Sequence, residues 1–192
     1  MKIDTQEILE NSVNFATILE DKLAKSNLKY YKQIVFHSSQ FRNSLILKSN
    51  SNQLEKSEIP IIYVLRVIDN NIAKTLIQKF LRFSKDNKLK TKNVDRVNVS
   101  RFNDTNSDVL YVGSSTTDFI TRIKNHLGVL KNRVYSLHLS KWDENFNYEI
   151  IIDIFKVESL NGNEVVERFV VEIIEQQIWE KLKPIFGKKS GL

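Results

Sequence analysis

Residues 61–68 form a short run with seven apolar residues and a single charge, and most of its side chains are branched at Cβ. Branched side chains favour strands, and a run of this length suits a strand better than a helix. Pro60 precedes the run, and Asp69 with Asn70 ends it. The pattern therefore predicts a buried β-strand early in the chain.

Further segments alternate between strand-like and helical patterns. The other predicted strands are residues 109–112, 134–139 and 148–157. Apolar residues at helical spacing predict helices at residues 4–25, 72–83, 115–126 and about 164–183. This mixture predicts an α/β fold, in which helices flank a small, mostly antiparallel central sheet and an N-terminal helical arm is added.

The expected helix boundaries are marked by capping residues, glycine and proline. Ser115 and Asp118 have the form of a capping box, with Asp where Glu or Gln is usual, so a helix is expected to start there. Gly128 is expected to end that helix, and Pro184 is expected to stop the C-terminal helix.

The chain is expected to divide into an arm and a main domain. Residues 38–57 are rich in Ser, Asn, Gln and Lys and interrupt the apolar pattern. Residues 1–57 are therefore predicted to form the N-terminal helical arm. Residues 58–192 are predicted to form the main domain, with a helical insertion at about residues 70–106. A chain of 192 residues with 41% hydrophobic residues fits one core with an appendage.

Composition limits the classes of function. The chain has 29 Lys and Arg against 23 Asp and Glu, a formal charge of +6 that favours a polyanionic partner. It has no cysteine, which excludes a disulfide framework, a thiolate metal site and a cysteine nucleophile. Charges interrupt the apolar residues at the N-terminus, so we expect no signal peptide, no membrane span and a cytoplasmic location. Neither Gly-rich phosphate signature is present, so no nucleotide cofactor is expected.

Several short motifs follow one another in a fixed order. Ile61-Ile62-Tyr63 lies on the first predicted strand, and Tyr111-Val112-Gly113 lies on the second, followed by Ser114 and a helix. Arg122 and His126 are four positions apart, so their side chains project from one helical face and can reach the same phosphate. Glu175 lies on the last predicted helix, ahead of Pro184.

Together these motifs resemble the GIY-YIG nuclease family over roughly residues 60–187. Two positions depart from the family pattern: Ile61 stands where the first Gly is usual, and Gly187 stands where an Asn is common. The interval between Tyr63 and Tyr111 is also longer than usual, which the predicted insertion explains. The resemblance implies the GIY-YIG fold for the main domain.

The resemblance also implies an enzyme that hydrolyses phosphodiester bonds of DNA with Mg²⁺, or with Mn²⁺ in its place. Glu175 is the implied metal ligand, and Glu172 is kept as a reserve. Arg122 is implied to bind the scissile phosphate through its planar donor fork. Tyr63 is the candidate to orient or deprotonate the attacking water, which requires a lowered pKa.

The remaining implied residues assist these groups. Tyr111 is expected to hold the water or the phosphate, and His126 to relay a proton or to hydrogen-bond Tyr63 or the phosphate. The backbone at Gly113 is expected to approach the site closely because it lacks a Cβ. The residues expected to bind substrate are Gly113, Ser114, Lys124, Lys188 and Lys189.

Each candidate also has a purely structural interpretation. A tyrosine in an apolar strand usually packs in the core, and Arg with His at helical spacing usually marks a solvated surface. His37 and His138 have no motif around them and are expected to be structural. A basic stretch either lines a phosphate backbone or is solvated; it comprises Lys79, Arg82, Lys85, Lys88, Lys90, Lys92, Arg96 and Arg101. Further cations that could extend such a surface are Lys131, Arg133 and Lys141.

We therefore expect a metal-dependent DNA endonuclease of the type II restriction or phage-defence kind, encoded by a bacterium or a phage. Two alternatives stay open: a catalytically weak nucleic-acid-binding module on the same scaffold, and a homing or repair nuclease. One active site per chain usually requires two copies for a double-strand break, so a homodimer on DNA is also expected.

Overall fold

The computed structural model describes residues 4–54, 59–92, 94–162 and 165–189. Five α-helices and four β-strands occur within these ranges, in the order α1 (Thr5–Ala24), β1 (Ser26–His37), α2 (Ser44–Ser51), β2 (Ile61–Arg66), α3 (Asn70–Lys88), β3 (Val109–Ser115), α4 (Phe119–Leu127), β4 (Glu149–Ser159) and α5 (Arg168–Leu182). The predicted boundary between residues 57 and 58 and the predicted helix start at residue 164 lie outside the described residues.

All four strands form one antiparallel sheet in the order β1-β4-β2-β3. β2 is an inner strand, and every residue in it except Arg66 is buried, as the apolar run predicts. Tyr63 lies opposite Gly113 on β3 and Ile154 on β4. The predicted α/β architecture, with a small antiparallel sheet, flanking helices and an N-terminal helix, is confirmed.

The two faces of the sheet support separate hydrophobic cores. Successive strand residues point to opposite faces, so Tyr63 and Leu65 enter one core while Ile62 and Val64 enter the other. Helices α2, α3 and α4 pack on the face of Tyr63, and α5 with the end of α1 packs on the opposite face. β3 is an edge strand, and its alternate side chains face the two helical layers.

The N-terminal segment differs from the predicted helical arm. α1 is a helix as predicted, but the next twelve residues after Lys25 form β1, which pairs with β4 along its length. A register shift between Tyr30 and Lys32 breaks the alternation of inward and outward side chains. That alternation is the usual sequence signal of a strand. Because the bulge interrupts it, the sequence pattern does not predict β1.

α3 occupies the predicted insertion and belongs to the core. Its Ala73, Leu76 and Phe80 are buried. The ring of Phe80 packs at centroid distances of 4.8–5.7 Å against three aromatic rings from distant segments, those of Phe102, Trp142 and Phe186. The helix in the predicted insertion is therefore part of the hydrophobic core, and Asp69 is its N-cap.

Residues 134–139 are not a strand, contrary to the prediction. His138 adopts a left-handed backbone with φ 52°, and a single 3-10 turn follows at Leu139–Lys141. Ser136 makes an isolated bridge with Val99 instead of joining the sheet. A residue with a left-handed backbone ends an extended strand, and nothing in the apolar pattern of residues 134–139 indicates that conformation.

Helix ends follow the expected chemistry with two corrections. The carboxylate of Asp118 alone caps α4, accepting from the backbone N–H of Thr121 at 3.0 Å, while Ser115 is the last residue of β3. Gly128 ends α4 with φ 81°, as predicted. α5 starts at Arg168, later than expected.

No helix in the described ranges combines the length and the apolar character that crossing a membrane requires.

Candidate active site

The phenols of Tyr63 and Tyr111 lie side by side on one face of the sheet. Their ring centroids are 6.4 Å apart and their planes differ by 21°. Gly113 makes this arrangement possible, because a Cβ there would lie 2.7 Å from Cε1 of Tyr111 and 2.8 Å from Oη of Tyr63. Any larger residue at Gly113 would displace one of the two rings.

α4 brings an imidazole and a guanidinium to the same two phenols. His126 is buried, and its Nε2 lies 3.1 Å from Oη of Tyr63, while its ring centroid is 4.3 Å from that of Tyr111. Arg122 lies one helical turn earlier and is exposed, so it lies on the solvent-facing side of this site. Burial raises the pKa of both phenols and lowers that of His126; the positive charge of Arg122 opposes the first effect and adds to the second.

The hydrogen bonds of His126 define its tautomer. The backbone N–H of Leu137 points at Nδ1 over 3.5 Å, so Nδ1 is the acceptor. The other nitrogen, Nε2, therefore carries the proton and donates to Oη of Tyr63. Burial, with smaller contributions from His138 and Arg122, lowers the pKa of His126 to about 3. The imidazole is thus neutral at physiological pH and holds the oxygen of Tyr63.

α5 contributes the carboxylate. The hydroxyl of Ser114 hydrogen-bonds to Glu175, and burial raises the pKa of Glu175 despite that bond. Burial is the main cause of the raised pKa of Tyr63 and of Tyr111, and the negative charge of Glu175 adds to it in both. Glu172, the reserve candidate, instead accepts from Nε of Arg168 at 2.7 Å. Glu175 is therefore the carboxylate of this cluster.

Tyr63 and Tyr111 differ in solvent exposure, but the pKa of both phenols is raised. Tyr63 is 1% exposed, whereas Tyr111 is only partly buried and lies closer to solvent. Burial is the largest cause of a raised pKa in both tyrosines, and Arg122 offsets only part of it. Deprotonation of water by Tyr63 would require a lowered pKa, whereas its pKa is raised. Both phenols are therefore protonated at neutral pH.

The C-terminal tail covers the outer edge of β3 beside Tyr111. The backbone N–H groups of Ile185 and Phe186 donate to Val109 and Leu110 of β3, each at 2.9 Å. Gly187 follows with φ 113°, and a Cβ there would lie 3.2 Å from the ring of Tyr111. Glycine is therefore required where the family pattern has Asn, because an L side chain rarely adopts this backbone.

Asn103 holds that tail and was not identified from the sequence. Its Nδ2 donates to the carbonyl oxygens of Pro184 at 3.1 Å and Gly187 at 3.2 Å. Its backbone N–H donates to Ile185 at 2.7 Å, and Gly187 donates to the carbonyl of Arg101 at 2.8 Å. No local pattern marks Asn103, because its partners lie about eighty residues away along the chain.

The predicted substrate-binding residues fall into two groups. Gly113 and Ser114 lie within the cluster, as described above. Lys124 projects about 200° around α4 from Arg122, so the helix separates it from the site. Lys188 is exposed directly after Gly187, whereas Lys189 forms an ion pair with Glu180 on α5. The structure therefore brings the glycine, the serine and Lys188 near the phenols but not Lys124.

Glu175 is the carboxylate that this site offers to a metal ion. Across the described ranges, no group of three or more His, Cys, Asp or Glu side chains could hold a metal together. Mg²⁺ often binds through one or two carboxylates and keeps several waters, so Glu175 beside Ser114 fits such an ion. Burial raises the pKa of Glu175, and a cation at this carboxylate would favour its charged form.

These observations define a cluster of polar side chains at the β3 edge of the antiparallel sheet. We call it the edge cluster. Its members are Tyr63, Tyr111, Ser114, Arg122, His126 and Glu175. Comparison with protein-family models, with curated proteins and with solved structures finds no match to this chain. Arguments about function therefore rest on the motifs and on the geometry of the edge cluster.

Proposed function

We propose that the chain is a GIY-YIG-type endonuclease that hydrolyses phosphodiester bonds of DNA with Mg²⁺. The observation that carries this proposal is the convergence on one edge of the sheet of groups from β2, β3, α4 and α5. Two phenols, one guanidinium and one carboxylate meet there although more than a hundred residues separate Tyr63 from Glu175.

The cluster can supply the groups that phosphodiester hydrolysis needs. The phosphate is negatively charged, so positive charge must be placed on it before water attacks. Arg122 is exposed on the solvent-facing side of the cluster and offers a permanent cation with several donors. Glu175 would hold Mg²⁺, which when bound supplies positive charge that polarises the phosphate and favours attack by water.

The two phenols have different roles in this proposal. Tyr111 is the more accessible, so its protonated phenol contacts the attacking water or a phosphate oxygen. Tyr63 is buried, and His126 donates to its oxygen, so the Tyr63 hydroxyl proton points away from the imidazole. We therefore assign Tyr63 and His126 to positioning the site. Of the alternatives expected from the sequence, this keeps the hydrogen bond between His126 and Tyr63 and leaves out the proton relay and the deprotonation of water.

A second candidate is a nucleic-acid-binding module without catalysis. The raised pKa of both tyrosines favours it, because neither phenol is a base at neutral pH in this arrangement. Incubating the purified protein with supercoiled plasmid and Mg²⁺ separates the two candidates. Nicking or linearisation that EDTA stops supports the nuclease, whereas binding without any cleavage in Mg²⁺ or Mn²⁺ supports the module.

Paired substitutions test which carboxylate is required. Glu175→Gln keeps a hydrogen-bonding partner for Ser114 but removes the charge, so cleavage should fall by about a hundredfold or more. Glu172→Gln is the matched control, because it removes the same charge from the same helix, where Glu172 pairs with Arg168. Full activity in Glu175→Gln would exclude the assignment of this carboxylate.

Restriction or phage defence remains the proposed biological role, with homing or repair as the alternative. Discrete fragments from several unrelated plasmids would favour a site-specific restriction enzyme, whereas a smear would not. The proposal includes a homodimer on DNA, because each chain offers one edge cluster. Sedimentation with and without DNA checks this point, and double-strand cleavage by a persistent monomer would contradict it.

A further inference from the structure

A basic groove of about 620 Å³ lies next to the C-terminal end of α4. Val129 and Leu130 contribute apolar surface to it, and Lys131, Arg133 and Lys141 contribute positive charge. Within the described part of the chain, no carboxylate lines this groove. The groove is separate from the edge cluster and shares no residue with it.

The charges in the groove are available to a ligand. None of its three cations forms an ion pair with another described residue. Two cations of α3 differ, because Lys79 and Arg82 both bind Glu144, with N–O distances of 2.8 Å and 3.1 Å. The groove is therefore a candidate for binding a polyanion, because its three cations line one cavity and no carboxylate in the described residues neutralises them.

The loop that carries two of these cations is fixed by the protein. The backbone N–H of Asn98 donates to Asn132 at 2.9 Å, and its side-chain Nδ2 donates to the carbonyl of Arg133 at 2.8 Å. The backbone N–H of Ser136 donates back to Asn98 at 3.2 Å. A loop that is already ordered loses little conformational freedom when it binds a ligand.

The groove lies close to the edge cluster along α4. Arg122 and the end of the helix at Leu127 are five residues apart, which is roughly 8 Å at 1.5 Å per residue. Successive phosphates on one DNA strand advance by about 3.4 Å along the duplex axis. A strand with one phosphate at Arg122 would therefore pass the end of α4, where the groove begins, within a few nucleotides.

We propose that the groove binds the DNA backbone beside the phosphate that is cut, an inference that rests on the proposed nuclease function. Lys131, Arg133 and Lys141 pair with phosphates, while Val129 and Leu130 contact the sugars between them. Contacts of this kind position a duplex without reading its sequence. Binding through the groove is therefore expected to be similar for DNA of any sequence and to weaken strongly with salt.

The test measures the salt dependence of DNA binding in EDTA, where cleavage plays no part. A short fluorescent DNA duplex is titrated with the wild-type chain and with the double variant Lys131→Gln and Arg133→Gln. Each lost phosphate contact lowers the slope of log K against log salt by about 0.9, so the double variant should lose about 1.8. The matched control, Lys25→Gln with Lys29→Gln, removes the same charge near β1 and should keep the wild-type slope.

A wild-type slope in the double variant would overturn the groove proposal, as would wild-type protein that does not bind the duplex. A lower melting temperature with an unchanged slope would show that these cations only stabilise the carbonyl end of α4. If the double variant does not fold, Lys141→Gln on its separate turn should still lower the slope by about 0.9. Plasmid nicking in Mg²⁺ is scored separately, so loss of the nuclease proposal is distinguished from loss of the groove.

Discussion

Gly113 shows how one missing side chain permits the edge cluster to form. In Gly113→Ala the new methyl would meet both phenols at under 3 Å, so we expect a loss of about 1–3 kcal/mol in unfolding free energy. Cleavage should fall with it, because the ring of Tyr111, which contacts the substrate in this proposal, and the buried ring of Tyr63 are displaced. Urea unfolding and plasmid nicking measure the two effects.

Gly162→Ala is the control for the Gly113 prediction. Gly162 has φ 75°, and no atom lies within 4 Å of the place that a Cβ would take, so its substitution adds backbone strain without crowding. This variant should lose stability while its nicking rate stays at the wild-type value. If Gly113→Ala also keeps the wild-type rate, the close packing of the phenols is not needed for catalysis.

The carboxylate of Glu175 is expected to be needed for cleavage and to lower the stability of the metal-free protein at pH 8. Because burial raises its pKa, its contribution to unfolding free energy is present below the ordinary carboxyl range and is lost as pH rises through the raised value. Glu175→Gln should therefore melt at a higher temperature than wild type at pH 8 without metal, while losing cleavage. Calorimetry checks this, and a lower melting temperature than that of Glu172→Gln would contradict it.

His126 should stay neutral far below the usual histidine range. Its pKa of about 3 lies below the unfolded value of roughly 6.5, so its stabilising contribution is full above pH 6.5 and is lost as pH falls toward 3. NMR of the imidazole nitrogens should show a proton on Nε2 from pH 5 to pH 8. Titration near pH 6.5, or a proton on Nδ1, would remove the positioning role given to His126.

The sequence could identify the principal residues of the edge cluster but not their protonation. Arg122 and His126 are marked by helical spacing, and Tyr63 and Tyr111 by motifs on apolar strands, so local rules suffice to select them. The raised pKa of the phenols depends on burial and on Glu175, which only the assembled chain supplies. For the same reason, the backbone donor at Leu137 could not be foreseen.

At the scale of elements, the tail beside β3 depends on Asn103. Asn103→Ala removes both side-chain bonds to the tail carbonyls, which should cost about 1–3 kcal/mol and loosen the backbone that packs on Tyr111. The nicking rate should fall more than DNA affinity, because the phenol moves while the cations stay. The exposed Asn106→Ala is the control, and equal losses in the two variants would argue against a specific role for Asn103.

Elements with a strong local pattern were predictable, and elements defined by distant partners were not. β2 is apolar throughout, apart from Arg66 at its end, and Asp69 caps α3, so both were expected near their observed places. β1 was hidden by the bulge at Tyr31, and its identity depends on pairing with β4. Residues 134–139 have a strand-like composition, yet the left-handed His138 diverts them from the sheet.

At the scale of the whole molecule, the edge cluster lies where the two helical layers meet β3. Arg122 comes from the layer on the face of Tyr63, and Glu175 comes from α5 on the opposite face. A cation held at Glu175 would require the folded arrangement of both layers and would therefore favour the folded state. Such a ligand stabilises the fold by mass action, because the unfolded chain has no equivalent site.

Mg²⁺ should accordingly raise the melting temperature in a way that depends on pH. At about a hundred times its dissociation constant, a ligand that binds only the folded state adds about 2.7 kcal/mol. Because the pKa of Glu175 is raised, protons compete with Mg²⁺ as pH falls, so stabilisation should be larger at pH 8 than at pH 5. Calorimetry at matched ionic strength separates this effect from screening. An equal shift in Glu175→Gln would place the ion elsewhere, whereas an absent shift in that variant alone would tie metal binding to this carboxylate.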